Sequence, residues 1–341
     1  MPVPRLPRFR DVVPEPESME ARLHLPAEIC TGWFLVTTDM GVQMARDWNE
    51  QFKTWARPPG KTEEDRCSNA VSVVRNAINA SSKLKSRGVD ILVQGSYQNN
   101  TNVRQDSDVD VGVVCTDTFF LNPLPDGLTK EKLGLVDATY HFPEFKNDVE
   151  EALVSYFGAG AVKRGDKAID LHETTYHVEA DVTPFFEYRH YVPTGRYLEG
   201  VELQSDKGVR LINWPEQHHS NGVEKNNATG TRYKSVVRSL KALSNEMVAN
   251  GVVAGDIPGF FIECLVWNVP NNMFQSGELV EDVTNCVAVI YGHTKAPETD
   301  DNWFEVNDLK FLFGPEQKWT IEQANAFAIA AWGYADMGKQ S

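Results

Sequence analysis

Cysteine is scarce in this chain, with five in 341 residues, and no two of them form a C-x-x-C pair. That spacing gives neither a disulfide framework nor a ribbon-type zinc site, and it fits a reducing, cytoplasmic setting. Basic residues are also in short supply, with 33 Lys and Arg against 48 Asp and Glu, a formal net charge of −15. Broad binding to nucleic acid or to an anionic membrane is therefore not expected, and only a small anion held in a local basic pocket remains open. No apolar run reaches the length of a membrane span, and the first residues lack the basic-then-apolar order of a signal peptide. There is no internal repeat and no low-complexity tract. What the chain does have is 41% apolar and 24% charged residues, the composition of a globular protein able to bury a sizeable core.

The most informative stretch is Gln94-Gly95-Ser96-Tyr97, followed by Asp106-Ser107-Asp108-Val109-Asp110-Val111. Leu92 and Val93 lead in as a buried strand, Gly95 lets the backbone turn closely, and Ser96 offers a hydroxyl and N–H groups to phosphate. Asp108 and Asp110 leave one strand on the same face, because side chains alternate with period two, while Val109, Val111 and Val113 point into a core. Two carboxylates about 7 Å apart along a strand can converge on a pair of magnesium ions separated by about 3.5–4 Å. The spacing of Asp106, Asp108 and Asp110 also matches the start of a calcium loop. That loop needs Gly at its sixth position and Glu at its twelfth, where this chain has Val111 and Asp117.

A third acid is expected on a later strand. In His177-Val178-Glu179-Ala180-Asp181-Val182 the acids share one face and the apolar residues the other, so Asp181 or Glu179 could complete the site.

Around these motifs, residues 1–60 read as a Pro-rich extension plus packing segments that end at Pro58-Pro59-Gly60. Thr62 and Asp65 suggest a capping box for a helix from Glu63 to Arg87, which leads into a Val89 to Val93 strand. Thr116 to His141 reads as an irregular excursion ending in a short strand. Pro143 opens a helix with Phe145, Val149, Leu153 and Phe157 in one stripe, ended by Gly158. Short antiparallel strands are expected at 161–163, 168–171 and 175–186. From about Val201 a loop texture is expected, with His218-His219 and Asn221-Gly222 in it, and His218-His219 lack further ligands at zinc spacing. A helix then follows from Thr231 to Asn250, with Val236, Leu240, Leu243 and Met247 as its apolar stripe. Lys234, Arg238 and Lys241 lie opposite that stripe, either as a solvated face or as a cationic wall for a triphosphate. Helices around Phe260 to Trp267, Glu278 to Tyr291 and Ile321 to Met337 complete a helical part. The expected division is 1–60, a palm at 61–200 and a helical lobe at 201–341.

With Gly95-Ser96, Asp108-x-Asp110 and Asp181 in place, the chain resembles the polymerase-β-like nucleotidyltransferases, and within them the bacterial CD-NTases, relatives of cyclic GMP–AMP synthase. The resemblance rests on 94–110, on Val182-Thr183-Pro184 after Asp181, and on Asn221-Gly222 and Lys225-Asn226 before Arg232-Tyr233-Lys234 through Lys241. It implies an α+β fold, a palm with a mixed sheet plus a helical second lobe. It also implies synthesis of cyclic di- or oligonucleotide second messengers from NTPs in anti-phage signalling (CBASS) operons. By resemblance, Asp108, Asp110 and Asp181 would hold two Mg2+ ions (or Mn2+), and Gln94, Gly95 and Ser96 would meet the donor phosphates. Lys241, with Lys234 and Arg238, would meet the triphosphate. Where relatives often carry a phosphate-touching Ser at the next helix start, this chain has Gly259. The partners expected are NTPs and regulatory or effector proteins from the same operon, without a nucleic-acid activator or a membrane. The alternatives are a nucleotidyltransferase acting on a primer or another acceptor, and a decayed binding module.

Overall fold

The computed structural model describes residues 46–103, 108–253, 255, 257–295 and 302–338. They form two compact units, Pro58–His219 and the described residues up to Arg57 together with those from Ser220 onward. Asp106 and Ser107 lie outside the described residues.

The first unit is a seven-stranded mixed sheet backed by helices α2 (Lys61–Ala80) and α4 (Phe142–Phe157). Its strands are β1 (Val89–Gln94), β2 (Val109–Leu121), β3 (Val162–Arg164), β4 (Ile169–Leu171), β5 (Ala180–Tyr191), β6 (Tyr197–Gln204) and β7 (Arg210–Asn213). A five-residue helix, α3 (Gly95–Asn99), follows β1 directly. β1 runs antiparallel to β2, and β2 runs parallel to β5. The other edge of β5 is shared, its first residues pairing with β4 and its last with β6, both antiparallel. β3 extends β4, and β7 extends β6.

Alternation explains this sheet. Val109, Val111 and Val113 are fully buried, as are Val182 of β5 and Ile169 of β4, against Cys67, Ala70, Val74 and Ala77 of α2 and Phe145, Val149 and Leu153 of α4. Full burial of each large aliphatic side chain is worth about 1.5–3 kcal/mol. This apolar face holds the opposite, polar-bearing face in register, since a slip of one residue would exchange the two.

The second unit joins α1 (Trp48–Trp55) to α6 (Arg232–Ala249), α7 (Gly259–Asn268), α8 (Leu279–Thr294) and α9 (Ile321–Tyr334) around one apolar cluster. Trp48 and Phe52 of α1 belong to that cluster with Tyr233, Leu240, Leu243 and Met247 of α6. Helix α5 (Pro215–Ala228) begins in the first unit and carries the chain into the second.

Several expectations need correction. Residues 201–219 are not helical-lobe loop but β6, β7 and the start of α5, and they belong with the sheet. Asn221-Gly222 and His218-His219 lie within α5. The buried positions of α5, His218, Gly222 and Lys225, recur at helical steps but none is a large apolar residue, so hydrophobic periodicity has nothing to register. The Glu63 to Arg87 helix ends at Ala80, because Ser81 turns extended at φ −72 and ψ 124. Gly60 rather than Thr62 is its N-cap, and the Gly60 carbonyl accepts from both Glu63 N and Glu64 N at 3.0 Å. Residues 122–141 contain no strand, β2 running on instead to Leu121. The 175–186 strand starts at Ala180, extends to Tyr191 and is parallel to β2, its main partner.

Candidate active site

The sheet register gathers the acids. Asp110 of β2 pairs with Asp181 of β5, Asp181 pairs with Asp170 of β4, Asp170 pairs with Lys163 of β3, and Gln94 of β1 pairs with Asp110 on its other side. Directly paired residues of neighbouring strands point to the same face, so these five side chains make one polar line across five strands. The next line is Val93, Val111, Val182 and Ile169, apolar across four strands before it reaches Arg164 of β3. Asp108 lies one residue before β2, and its charge is felt at Asp181. Burial raises the carboxyl pKa of Asp181, and the negative charges of Asp170, Asp108 and Glu179 raise it further.

Between the two candidates for the third acid, the register puts Asp181 opposite Asp110. Glu179 precedes β5, is exposed, and has its Oε1 3.8 Å from His172 Nδ1. Asp170 was missed in the sequence. Its signal was available, since Ile169-Asp170-Leu171 repeats the apolar–acid–apolar pattern of Val109-Asp110-Val111. Among the described residues, no three His, Cys, Asp or Glu side chains form a finished metal cluster. The donors nevertheless suit a hard divalent cation such as magnesium, being carboxylate oxygens crowded by like charge, the repulsion that bound cations relieve.

Gly95 sits against this line with φ +70, in the left-handed region that favours glycine. A Cβ there would lie 1.8 Å from Asp110 Oδ2, so the glycine is needed both for the turn and for the approach of the carboxylate. The α3 turn it opens is held by its own chain. Asn99 Nδ2 donates to the Gly95 carbonyl at 2.9 Å, Thr101 N donates to the Ser96 carbonyl at 2.9 Å, and Asn100 adopts φ 53 to close the helix. Ser96 is half-buried in the first turn.

The expected basic face of α6 is not a solvated face. Lys234, Arg238 and Lys241 are all buried, and most of the helix between Tyr233 and Ser244 is buried with them. Lys241 Nζ lies 3.1 Å from Glu263 Oε2 of α7, with both side chains under 10% exposed. Gly259 makes room for that amine, since a Cβ there would lie 3.3 Å from Lys241 Cε and 3.7 Å from Nζ. Arg238 Nε donates to the Ala56 carbonyl at 2.6 Å, and burial brings its pKa down to about 10. Burial also lowers the pKa of Lys234. Of the residues expected at the site, the structure thus assembles Gln94, Gly95, Ser96, Asp108, Asp110 and Asp181 in the first unit, and Lys234, Arg238 and Lys241 on one helix of the second.

Comparison with known proteins agrees with this division. Residues 220–336 match the family model of the cGAS/DncV-like nucleotidyltransferase C-terminal helical domain. The cyclic dipyrimidine nucleotide synthase CdnE of Legionella pneumophila is 39% identical over 296 residues, covering 85% of this chain and 99% of that relative. Solved structures share the fold, among them two CdnE synthases. The CdnE cyclic dinucleotide synthase of Elizabethkingia meningoseptica, with GTP and Apcpp, is 36% identical with a TM-score of 0.71 over 84% of this chain and 98% of that one. The CdnE c-UMP-AMP synthase of Rhodothermus marinus, with Apcpp and Upnpp, is 31% identical with a TM-score of 0.74 over 86% and 98%. With that identity spanning most of the chain, and with a polymerase-β-like palm and helical domain both in place, the protein belongs to the cGAS/DncV-like nucleotidyltransferases of the CdnE type.

Proposed function

We propose that this protein is a nucleotidyltransferase that joins NTPs into a cyclic di- or oligonucleotide with release of pyrophosphate. The observation that carries the proposal is the pairing of Asp110 with Asp181 on adjacent parallel strands, with the Gly95 turn packed against Asp110. In this reading Asp108, Asp110 and Asp181 hold two Mg2+ ions, for which Mn2+ can substitute. Bound there, the cations supply Lewis-acid stabilisation of charge on the phosphoryl group being transferred. The chain's own part is to position. Gly95 brings the backbone close to Asp110, Ser96 presents its hydroxyl to the donor phosphates, and Gln94 borders the acid line on its far side. Lys241, pinned by Glu263, offers a fixed charge to the triphosphate, with Lys234 and Arg238 on the same helix. Gly at 259 leaves room for the Lys241 side chain, whose Cε would lie 3.3 Å from a Cβ there.

The net charge of −15 favours small nucleotides over RNA as acceptor, and it favours synthesis without a nucleic-acid activator. Control by a protein or small molecule in an anti-phage operon is part of the same reading. So is a cytoplasmic setting, which the free, buried thiols of Cys67, Cys115, Cys264 and Cys286 suit. No helix among the described residues is long and apolar enough to cross a membrane.

The test is to incubate the pure protein with the four labelled NTPs and magnesium, without primer. Phosphatase-resistant product with equivalent pyrophosphate is expected. Labelled chains that form only when a primer or other acceptor is added would favour the acceptor-modifying reading instead.

A further inference from the structure

We propose that His219 and Asn99 form a clamp that sets the Gly95–Ser96 turn, which makes His219 a positioning residue for the nucleotide. The proposal rests on the reading of that turn as the phosphate-contacting segment. Its geometry lies wholly within the Pro58–His219 unit.

A five-residue helix has little stability of its own, because nucleating a helical turn fixes several residues in return for few hydrogen bonds. The turn is therefore set by what ties it down. The Asn99 side chain, 5% exposed, reaches back to the first residue of α3 and donates from Nδ2 to the Gly95 carbonyl at 2.9 Å. With the amide nitrogen so engaged, Oδ1 faces the other way as an acceptor, and His219 Nδ1 stands 3.2 Å from it. His219 Nδ1–H is then the donor. The two residues are 120 positions apart in the chain, so α5, and not a local turn, sets the orientation of the amide. The carbonyls of Ser96 and Tyr97 are held separately by Thr101 N and Asn100 N, which leaves the Gly95 carbonyl as the one the clamp controls. Gly95 is also the residue whose missing Cβ admits the Asp110 carboxylate. A displacement of about 1 Å at such a place costs on the order of a hundredfold in rate. His219 thus has a role that neither a solvated histidine nor a zinc ligand would have.

The experiment compares wild type with His219→Ala, His219→Gln and Asn99→Asp. It reads affinity for a non-hydrolysable NTP analogue, KM and kcat, thermal midpoint, and amide hydrogen exchange at 95–101. His219→Ala should weaken analogue binding and raise KM by about tenfold. It should also speed exchange of the Asn100 and Thr101 amides, with a thermal midpoint within a few degrees of wild type. His219→Gln, which can still donate, should restore affinity and protection together. Asn99→Asp keeps the acceptor for His219 but loses the donor to Gly95, and should reproduce the alanine defect even if His219→Ala folds poorly. Wild-type affinity and exchange in both His219→Ala and Asn99→Asp would overturn the clamp, as would a defect that His219→Gln does not relieve. Failure of the wild type to bind the analogue would instead sink the phosphate reading of the turn. The exchange data would still decide the clamp.

Discussion

The acid line of the sheet unit and the buried bases of α5 and α6 treat charge in opposite ways. In the sheet unit, Asp110, Asp181 and Asp170 stand side by side and, with Asp108, load like charge onto Asp181. In the helical unit, three buried bases are matched to acceptors. Lys241 has Glu263, Arg238 has the Ala56 carbonyl, and Lys225 donates to the Val269 carbonyl at 2.7 Å among the rings of Tyr233, Trp267 and Phe274. Crowded acids weaken a fold, whereas matched buried bases hold one together and are costly to break from one side. The first arrangement suits the proposed binding of countercharge, the second a scaffold that keeps one of its charges in a fixed place.

The largest effect should come from removing the crowding. Asp108→Asn with Asp110→Asn is expected to abolish cyclic product while leaving the thermal midpoint equal to wild type or higher, because repulsion is relieved. Product retained by the double variant would take the acids out of the chemistry, and a collapse in stability would show that they are structural. Next comes Gly95→Ala, whose Cβ would strike Asp110 Oδ2. Activity should fall by about a hundredfold, and the left-handed φ should cost about 1–3 kcal/mol of stability in denaturant unfolding. Near-wild-type turnover would mean that the turn can move away from the acid without consequence.

A third comparison separates scaffold from site in the helical unit. Lys241→Met alone leaves Glu263 buried without its cation and should cost about 3–5 kcal/mol. Lys241→Met combined with Glu263→Met should recover most of that stability but not the affinity for NTP. Recovery of both would reduce Lys241 to a structural residue. The smallest effect is electrostatic and lies on the surface of the sheet unit. Asp206 is held down to about 2 by Arg164 and, less strongly, by Lys146. A depressed carboxylate adds stability that is complete above its ordinary pKa of about 3.9 and is lost as pH falls toward about 2. Asp206→Asn should therefore lower stability modestly at neutral pH, with the difference from wild type shrinking as pH falls toward about 2, so that the acid limb of its stability–pH curve is flatter. Identical acid limbs would mean that the Arg164 contacts are not maintained in solution.

The sequence was easiest to read where side chains alternate. The run Val109-Asp110-Val111 shows both the core and the acid face of β2, and Ala180-Asp181-Val182 does the same for β5. The direction of β5 was not legible, because period-two alternation is the same for parallel and antiparallel neighbours and the partner is set by the intervening crossover. The burial of the α6 bases was not legible, because opposition to an apolar stripe predicts solvent only for a helix with one buried face, and α6 is buried on nearly all sides. Helix α5 was invisible for the reverse reason, since its buried positions are His218, Gly222 and Lys225, none of them a large apolar residue, and Lys225 is held by a hydrogen bond to the Val269 carbonyl and by ring contacts. Asp170 went unused although its alternation was plain, because a three-residue strand has meaning only once its neighbour is known.

The central claim is that the β2–β5 register selects the third catalytic carboxylate, and the most direct measurement is cyclic-product formation by Asp181→Asn beside Glu179→Gln in the same assay. The account predicts no product from Asp181→Asn and near-wild-type product from Glu179→Gln. The opposite order, or equal loss in both, would contradict it.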